Sequence, residues 1–213
     1  MNNVGSSAPA WLHMARRLRQ GVAALAAVMA HIAGWNYILC ACFITFDIVA
    51  RSFFGFSSKA TVEVTGYMLA GGIAWALAHT LARRAHIRVD VFMMRLPLGL
   101  RAWLHLFSLT LLLGLGIFFA WAALELVDES ALFNAHDNSA LRIEMIWPQG
   151  IWAFGIISFA IMGLVLMLEA SLAILAGKPE ELDRLLGSRS LQDETAEALE
   201  AVGMAHEAPR PQA

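Results

Sequence analysis

Two charged side chains, Asp47 and Arg51, stand four residues apart at the end of a long apolar run. In a helix this spacing places both side chains on one face, where a carboxylate and a guanidinium can pair. Charged groups within a membrane are costly and call for a specific role. Two interpretations stay open for this pair: a structural ion pair at the membrane surface, or a contact with a partner subunit.

A single carboxylate, Glu63, opens the next apolar run, two residues after Thr61. The helix dipole stabilises a negative charge in the first turn, and threonine is a favourable N-cap residue. We therefore expect Thr61 to cap a helix and Glu63 to lie in its first turn. This local structural role is favoured for Glu63 over a chemical one.

Three histidines, His31, His79 and His105, lie in or near apolar runs. Haem held between two membrane helices needs one imidazole from each helix at matching depth, and His79 and His105 both lie near the same ends of their runs. A haem-binding membrane anchor of a respiratory enzyme is therefore an alternative function. The favoured interpretation is a histidine bonded at the interface or to a neighbouring helix, and we expect no cofactor.

The sequence contains no recognisable catalytic motif. It has no nucleophile elbow, no glycine-rich phosphate loop, no HExxH and no His, Asp or Glu cluster with the spacing of metal ligands. Cys40 and Cys42 are separated by one residue and so face different sides of a helix, which suits apolar filler rather than a disulfide or a metal site. We expect the chain to hold no metal and not to be an enzyme.

The elements that position these residues are long apolar runs. The chain has 213 residues, of which 59% are hydrophobic and 15% charged, whereas soluble domains have about 45–50% apolar and about 25% charged residues. A helix that crosses a membrane needs about 20 apolar residues, and backbone groups in lipid must bond within the segment. The predicted fold class is therefore an all-α integral membrane protein with four transmembrane helices. The four runs are 21–46, 64–82, 102–124 and 145–168.

Lysine and arginine are distributed unequally between the connecting segments. Twelve of the 15 precede the first run, lie between the second and third, or follow the fourth. The other three are Arg51, Lys59 and Arg142. Because the side richer in these residues is cytoplasmic, we predict that both termini are cytoplasmic and that the 126–144 loop faces outward.

The segments outside the runs differ in character. We divide the chain into a basic cytoplasmic segment (1–20), a membrane domain (21–176) and a charged, partly disordered cytoplasmic tail (177–213). Residues 89–100 mix apolar side chains with arginine, which predicts an interfacial cytoplasmic segment between helices two and three. Gly72 permits close helix contact, and Pro148 stands near the start of helix four, where its missing N–H is tolerated.

An ordered set of motifs gives a more specific indication. The first motif is R-S-F-F-G-F-S, which begins at Arg51 and contains Gly55. It is followed by Glu63 at the start of helix two and by A-R-R-A-H-I-R-V-D, which ends at Asp90. The last two are L-P before Arg101 and W-P-Q from Trp147. In this order and on this topology they resemble the small membrane subunit of tripartite ATP-independent periplasmic (TRAP) transporters, the DctQ-like family. The resemblance spans roughly residues 21–176.

The chain departs from the usual family pattern around helix two. Many members have a tryptophan shortly before a Glu-Glu pair, whereas here Ala60 stands at the tryptophan position and Val62 replaces the first glutamate. Many also carry a tryptophan and Phe-Leu-Gly within helix two, where this chain reads A-G-G-I-A-W-A-L from Ala70. The sequence is therefore a divergent example of the pattern.

The resemblance implies a small permease subunit in a bacterial inner membrane. In such systems a periplasmic binding protein delivers an organic acid to a large membrane subunit, which carries it by sodium-coupled secondary transport. The small subunit is expected to scaffold the large one and to bind neither substrate nor sodium. Independently of the resemblance, the net charge of −2 excludes a strongly basic nucleic-acid binder. Its implied partners are the large TRAP membrane subunit, the periplasmic substrate-binding protein and membrane lipid. A stand-alone small carrier or channel is a further alternative.

The residues assigned to the subunit interface or to the fold share a position in these motifs or at the ends of the predicted helices. They are Asp47, Arg51, Gly55, Glu63, Gly72, His86, Arg88, Asp90 and Pro148. For His86, Arg88 and Asp90, a cluster solvated by water or lipid headgroups is the competing interpretation.

Overall fold

The computed structural model describes residues 10–56, 58, 60–83, 97–139 and 141–176, together with positions 185, 195 and 199. This part of the chain is all-helical, and its only β-pairing is an isolated bridge between His136 and Glu144. The helices are α1 (Ala10–Phe54), α2 (Thr61–Ala82), α3 (Leu98–Leu132) and α4 (Ile146–Leu175). The predicted all-α class is confirmed for the described residues.

Three of these helices, α1, α3 and α4, are long and apolar enough to cross a membrane. This agrees with an integral membrane protein. The helix α2 is not in this group, because its 22 residues include threonines, glycines, a glutamate and a histidine that lower its hydropathy. A count of four transmembrane helices therefore stays a prediction.

The helix α4 is the centre of the bundle. It packs against α1, α2 and α3, and α1 also packs against α2, whereas the principal contact of α3 is with α4. Half of the most apolar window of α4 is buried, compared with 17% for α1 and 22% for α3. Most apolar side chains of α1 and α3 consequently lie on the outside of the bundle.

The helix α1 buries a narrow seam along its whole length. Its buried residues fit alternating steps of three and four positions, the period at which helices wrap around each other with a left-handed supercoil. They are Leu12, Ala15, Ala26, Met29, Ala33, Cys40, Asp47 and Ala50. Most are small, which lets α1 approach its neighbours closely. Cys40 lies in this seam and Cys42 is exposed, so the two thiols face different sides as predicted.

Two close helix contacts depend on glycine. A Cβ atom at Gly155 of α4 would lie 2.6 Å from the carbonyl carbon of Ala74 in α2. A Cβ atom at Gly72 of α2 would lie 2.8 Å from the Tyr37 ring of α1. Both separations are too short for a real side chain, and the second is the close helix contact that the sequence predicts at Gly72.

The helices α1 and α3 are longer than a membrane requires. At 1.5 Å per residue, the 45 residues of α1 extend about 67 Å and the 35 residues of α3 about 52 Å. The hydrocarbon layer is about 30 Å thick, and the predicted runs are the central parts of both helices. Following the predicted orientation, we call the end where α1 and α3 terminate the outer end, and the opposite one the inner end.

Several predicted features lie outside the described residues. They include His86, Arg88, Asp90 and nearly all of the charged tail. Of the predicted interfacial segment, residues 89–96 also lie outside, whereas residues 98–100 form the first turn of α3. Pro97 directly precedes this turn with an extended backbone, so the proline stands where the helix begins.

Candidate interface and anchoring sites

The outer junction between α1 and α2 is built around the carboxylate of Asp47, whose side chain is 2% exposed. Its Oδ2 accepts a hydrogen bond from Arg51 Nη2 at 2.7 Å, and its Oδ1 accepts one from the backbone N–H of Ser58 at 2.8 Å. The ion pair predicted from the spacing is present. The same carboxylate also holds the connection that leads into α2, a contact that the sequence does not reveal.

Gly55 turns the chain out of α1 with a φ of 64°, in the left-handed region that favours glycine. The predicted N-cap at Thr61 is wrong, because the N-cap position is Ala60 and no side chain caps the helix. The Thr61 hydroxyl instead donates to the carbonyl of Ser58 at 3.0 Å. Since Asp47 fixes the backbone of Ser58, this carbonyl lies within reach of the threonine.

The first turns of α2 and α4 contain two buried oxygen atoms, Oε2 of Glu63 and Oε1 of Gln149. Neither has a hydrogen-bond partner among the residues that the structure describes. Glu63 lies in the first turn of α2, as predicted. Pro148 is the third residue of α4, where a backbone N–H has no helical acceptor, so its position also agrees with the prediction.

The connection between α3 and α4 is an ordered turn fastened to α2. Tyr67 donates its hydroxyl to Oδ2 of Asp137 at 2.8 Å, and the backbone N–H of Ser139 donates to Oδ1 of the same carboxylate. A backbone bond from Asp137 to Ile143 closes the turn. Hydrogen bonds from Ser139, and then from Tyr67, hold the pKa of Asp137 below its ordinary value although partial burial acts in the opposite direction.

Polar side chains between α1, α2 and α4 bond to the backbone of neighbouring helices. Asn36 donates to the carbonyl of Met68 at 2.7 Å, and the indole N–H of Trp75 donates to the carbonyl of Ile151 at 2.8 Å. These residues line a groove of about 320 Å³ that has no charged residue among its described lining. The groove therefore offers no charge that could pair with an organic anion.

The inner end contains an ion pair that the sequence analysis missed. Glu169 of α4 is buried, and its Oε2 accepts a hydrogen bond from Arg19 Nε at 2.7 Å, while Arg16 Nε lies 3.9 Å from Oε1. A lone carboxylate within an apolar helix was the available signal, because such a group needs a partner. The partner could not be identified, since Arg19 lies 150 residues away in the chain.

The three histidines that the sequence analysis singles out, His31, His79 and His105, lie on three different helices, α1, α2 and α3. Within the described ranges, no cluster of three or more His, Cys, Asp or Glu residues could hold a metal ion. His79 of α2 and His105 of α3 lie on helices that each pack on α4 rather than chiefly on one another. His105 is buried, and Nδ1 of His79 is buried without a hydrogen-bond partner in this part of the chain.

The outside of the bundle is strongly apolar along α1 and α3. Large exposed side chains on these two helices include Leu25, Trp35, Leu39, Phe46, Phe107, Leu111, Phe118 and Trp121. An apolar surface of this extent is suited to lipid or to another membrane subunit.

A profile for one protein family matches more than half of the chain. It is described as "Tripartite ATP-independent periplasmic transporters, DctQ component" and covers residues 40–173, a range that contains every residue predicted for the interface or the fold. No curated protein and no solved structure gives a significant match. The family is a transporter component and not an enzyme family, in agreement with the expectation for this chain. The chain therefore belongs to the DctQ family and is a small membrane subunit of a TRAP transporter.

Proposed function

We propose that this subunit is a rigid scaffold for the large membrane subunit of a sodium-coupled TRAP transporter. In this proposal the large subunit takes up an organic acid from a periplasmic binding protein, and the present chain binds neither the acid nor sodium. Membership of the DctQ family supports the three-part organisation. Sodium coupling, the acidic substrate and the scaffold role belong to the proposal.

The observation that carries the scaffold role is that polar contacts join the helices at both ends of the bundle, while the outside of the bundle is apolar. At the outer end Asp47 joins α1 to the start of α2, and Tyr67 joins α2 to the α3–α4 turn. At the inner end Arg19 joins α1 to α4 through Glu169. A body held in this way resists relative movement of its helices, which is the property that a support for a moving subunit needs.

The interior supports a role other than substrate binding. Transporters commonly build substrate and ion sites from interrupted membrane helices whose backbone groups face the cargo. Each of the four described helices is continuous, and the groove between α1, α2 and α4 has no charged residue in its described lining. These features favour a supporting subunit over a stand-alone carrier. No observation favours the haem anchor.

We further propose that α2 crosses the inner membrane together with the other three helices. Its 22 residues extend about 33 Å, which matches a hydrocarbon layer of about 30 Å. It packs along both α1 and α4, so its modest hydropathy is offset by neighbours that cover its small and polar residues. Four crossings would leave both termini on the cytoplasmic side.

Co-purification followed by reconstitution tests the scaffold proposal. The tagged, full-length chain is isolated in detergent from its native membrane, and we expect one large, many-helix membrane protein at near-equal amount. The complex is then placed in liposomes with an inward sodium gradient, the binding protein and the organic acid that most raises the melting temperature of that binding protein. Uptake by the complex, and none by the present chain alone, is the expected result.

Two outcomes would contradict this proposal. Uptake by the chain alone would make it a carrier. A soluble flavin or iron–sulfur subunit as the co-purified partner would move the protein into a respiratory complex.

A further inference from the structure

The helix α1 continues beyond the membrane at its inner end. Residues 10–20, which we call the inner extension, precede the charge-free run 21–46. That run is about 39 Å long, which already exceeds the hydrocarbon thickness of about 30 Å. The hydrocarbon layer therefore fits within the run, and the inner extension lies outside it. Because α1 is one continuous helix, the extension cannot turn aside to lie flat among the lipid headgroups.

The inner extension carries three exposed apolar side chains, which we call the inner stripe. They are Trp11, Met14 and Leu18, and they lie within about 60° of one another around the helix axis. Trp11 and Met14 stand about 15 and 10 Å before the run, or about 11 and 8 Å if the helix is tilted by about 40°. The headgroup layer is only about 5–8 Å deep. Lipid therefore does not cover these two side chains, and apolar surface left in water indicates a protein neighbour.

Charge separates the segments of this chain that could supply the neighbour. The inner extension contains three arginines and no acidic residue, so it stays positive although two of them lie beside Glu169. The connection 83–96 is also basic, with four arginines and one aspartate. The tail 177–213 has eight acidic and four basic residues, and its part 191–202, the acidic segment, has four acidic residues and no lysine or arginine. Electrostatic attraction therefore favours the acidic segment.

The acidic segment also has an apolar side. In a helix, four of its apolar residues lie within about 100° of one another, and its acidic residues occupy the rest of the circumference. The four are Leu191, Ala198, Leu199 and Val202. Positions 195 and 199 are helical, and Leu199 is exposed. The acidic segment and the inner stripe therefore both have apolar surface to bury.

Leu185 holds the tail at the inner end of the bundle. It is helical and packs against the core cluster that includes Ala26 of α1 and Ala170 of α4. The six residues from Leu185 to Leu191 span at most about 22 Å, and Leu18 lies about 12 Å along α1 from Ala26. The acidic segment therefore begins within reach of the end of the inner stripe that is nearest to the membrane.

We propose that the acidic segment packs on the inner stripe as a helix antiparallel to α1. The segment starts near the membrane and runs away from it, whereas α1 runs toward it. In this arrangement Arg17 and Glu194 lie on the same edge of the contact, each about 80–90° around its helix from the centre of the apolar side. Charged residues of paired helices meet at such edges. The contact lies within this chain and goes beyond the proposed scaffold function.

Labelling of a cysteine in the inner stripe measures whether the acidic segment covers it. Met14→Cys is introduced into the full-length chain with Cys40→Ala and Cys42→Ser, and the protein is treated with a maleimide in lipid nanodiscs. Leu199→Asp puts a charge on the apolar side of the segment, and Ala201→Asp, the matched control, puts the same charge about 160° away. We expect Leu199→Asp to raise the labelling rate about tenfold, as for the loss of one buried leucine, and Ala201→Asp to leave it unchanged. Equal rates in all three chains would overturn the proposal.

Disulfide formation tests the antiparallel arrangement. In the same background, Leu18→Cys together with Leu191→Cys should form a disulfide on mild oxidation. Gln20→Cys together with Leu191→Cys should not, because Gln20 is exposed but lies about 160° around α1 from Leu18. A yield from the Gln20 pair that equals or exceeds that from the Leu18 pair would place the tail on another side of α1 and contradict the proposal.

Charge reversal tests the edge of the contact. Arg17→Glu and Glu194→Arg should each speed the labelling of Met14→Cys by at most about fivefold, the range of an exposed ion pair. The two changes together should restore the slow rate, because they exchange the charges. Labelling that is faster in the double variant than in either single variant would show that the two residues do not pair.

The large subunit is the alternative occupant of the inner stripe, and the same label distinguishes it. Met14→Cys should be equally protected in the chain alone and in the complex co-purified with the large subunit. Fast labelling of the chain alone together with slow labelling of the complex would assign the inner stripe to the large subunit. That result would overturn the contact with the acidic segment and leave the scaffold function standing.

Discussion

A single buried carboxylate, that of Asp47, makes two contacts of unequal weight. The pair with Arg51 lies at the rim, where the guanidinium side chain is 64% exposed, and exposed ion pairs contribute at most about 1 kcal/mol. The bond from the backbone N–H of Ser58 is different, because this donor is partly buried and the loss of its acceptor costs about 1–3 kcal/mol. The carboxylate therefore matters more as the anchor of the loop than as half of an ion pair.

Asp47→Ala should consequently lower the free energy of unfolding by about 1–3 kcal/mol, and Arg51→Ala by less than about 1 kcal/mol. Urea titration in detergent micelles, followed by tryptophan fluorescence, measures both. Asp47→Asn is the matched control, since it removes the charge but keeps an acceptor for Ser58, and it should behave like Arg51→Ala. Equal losses from Asp47→Ala and Arg51→Ala would assign the stability to the ion pair instead.

The turn between α3 and α4 should resist mild acid, because the pKa of Asp137 is lowered in the fold from its ordinary 3.8. The ionised carboxylate accepts the bonds from Ser139 and Tyr67, so its stabilising effect is complete above pH 3.8 and disappears as the pH falls through the lower folded value. The anisotropy of a fluorophore on Leu141→Cys, with the native cysteines replaced, should stay constant from pH 7 to about pH 5 and fall only in strong acid.

Tyr67→Phe supplies the comparison for the acid titration. It removes one donor to Asp137, so the fall in anisotropy should begin at a higher pH than in the otherwise identical chain. A fall that begins near neutral pH in the unaltered turn would mean that Asp137 does not hold it.

At the scale of the helices, α2 and α4 touch through their backbones. The contact at Gly155 is against backbone atoms of Ala74, whereas the contact at Gly72 is against the ends of the Asn36 and Tyr37 side chains. Side-chain ends can rotate away, but a helix backbone moves only as a unit. The two glycines therefore differ in how much a methyl group would disturb them.

Gly155→Ala should lower stability by about 1–3 kcal/mol or more, because it forces α4 away from α2. Gly72→Ala should cost less, since Tyr37 can move. Gly150→Ala, on the same helix as Gly155, should be neutral or slightly stabilising, because a Cβ atom there would meet no atom within 4 Å. Melting temperatures in one detergent compare the three variants, and a loss for Gly150→Ala as large as that for Gly155→Ala would refute the backbone contact.

The sequence predicts the parts of the helices that lie in lipid, because lipid requires a long run without charged residues. Absence of charge located the centres of α1, α3 and α4, but α1 begins at Ala10, since the basic residues before the apolar run are good helix formers that need no lipid. The hydrogen bond of Thr61 was not predictable. Its hydroxyl donates to the carbonyl of Ser58, and the backbone of Ser58 is held in place by Asp47 of α1. The partner of Glu169 was out of reach because no local pattern connects it with Arg19.

At the scale of the whole molecule, the distribution of Lys and Arg predicts which end faces the cytoplasm. Leu141 in the outer turn and His13 near the start of α1 are both exposed. In a chain without its native cysteines, we expect a membrane-impermeant maleimide to label Leu141→Cys in intact spheroplasts, and to label His13→Cys only after lysis. Labelling of His13→Cys in intact spheroplasts would mean that the orientation is the reverse of the predicted one, or that the chain crosses the membrane one time fewer.

The pair between Arg19 and Glu169 also bears on the order of events while the ribosome makes the chain. Arg19 is synthesised 150 residues before Glu169, and α4, which touches every other helix, is the last of the four described helices to emerge. Until α4 inserts, α1 has neither its central neighbour nor its buried counter-charge. Completion of the bundle therefore comes late in translation. A chain released early leaves Arg19 without its buried counter-charge, and it exposes the small-residue seam of α1 to membrane quality-control proteases.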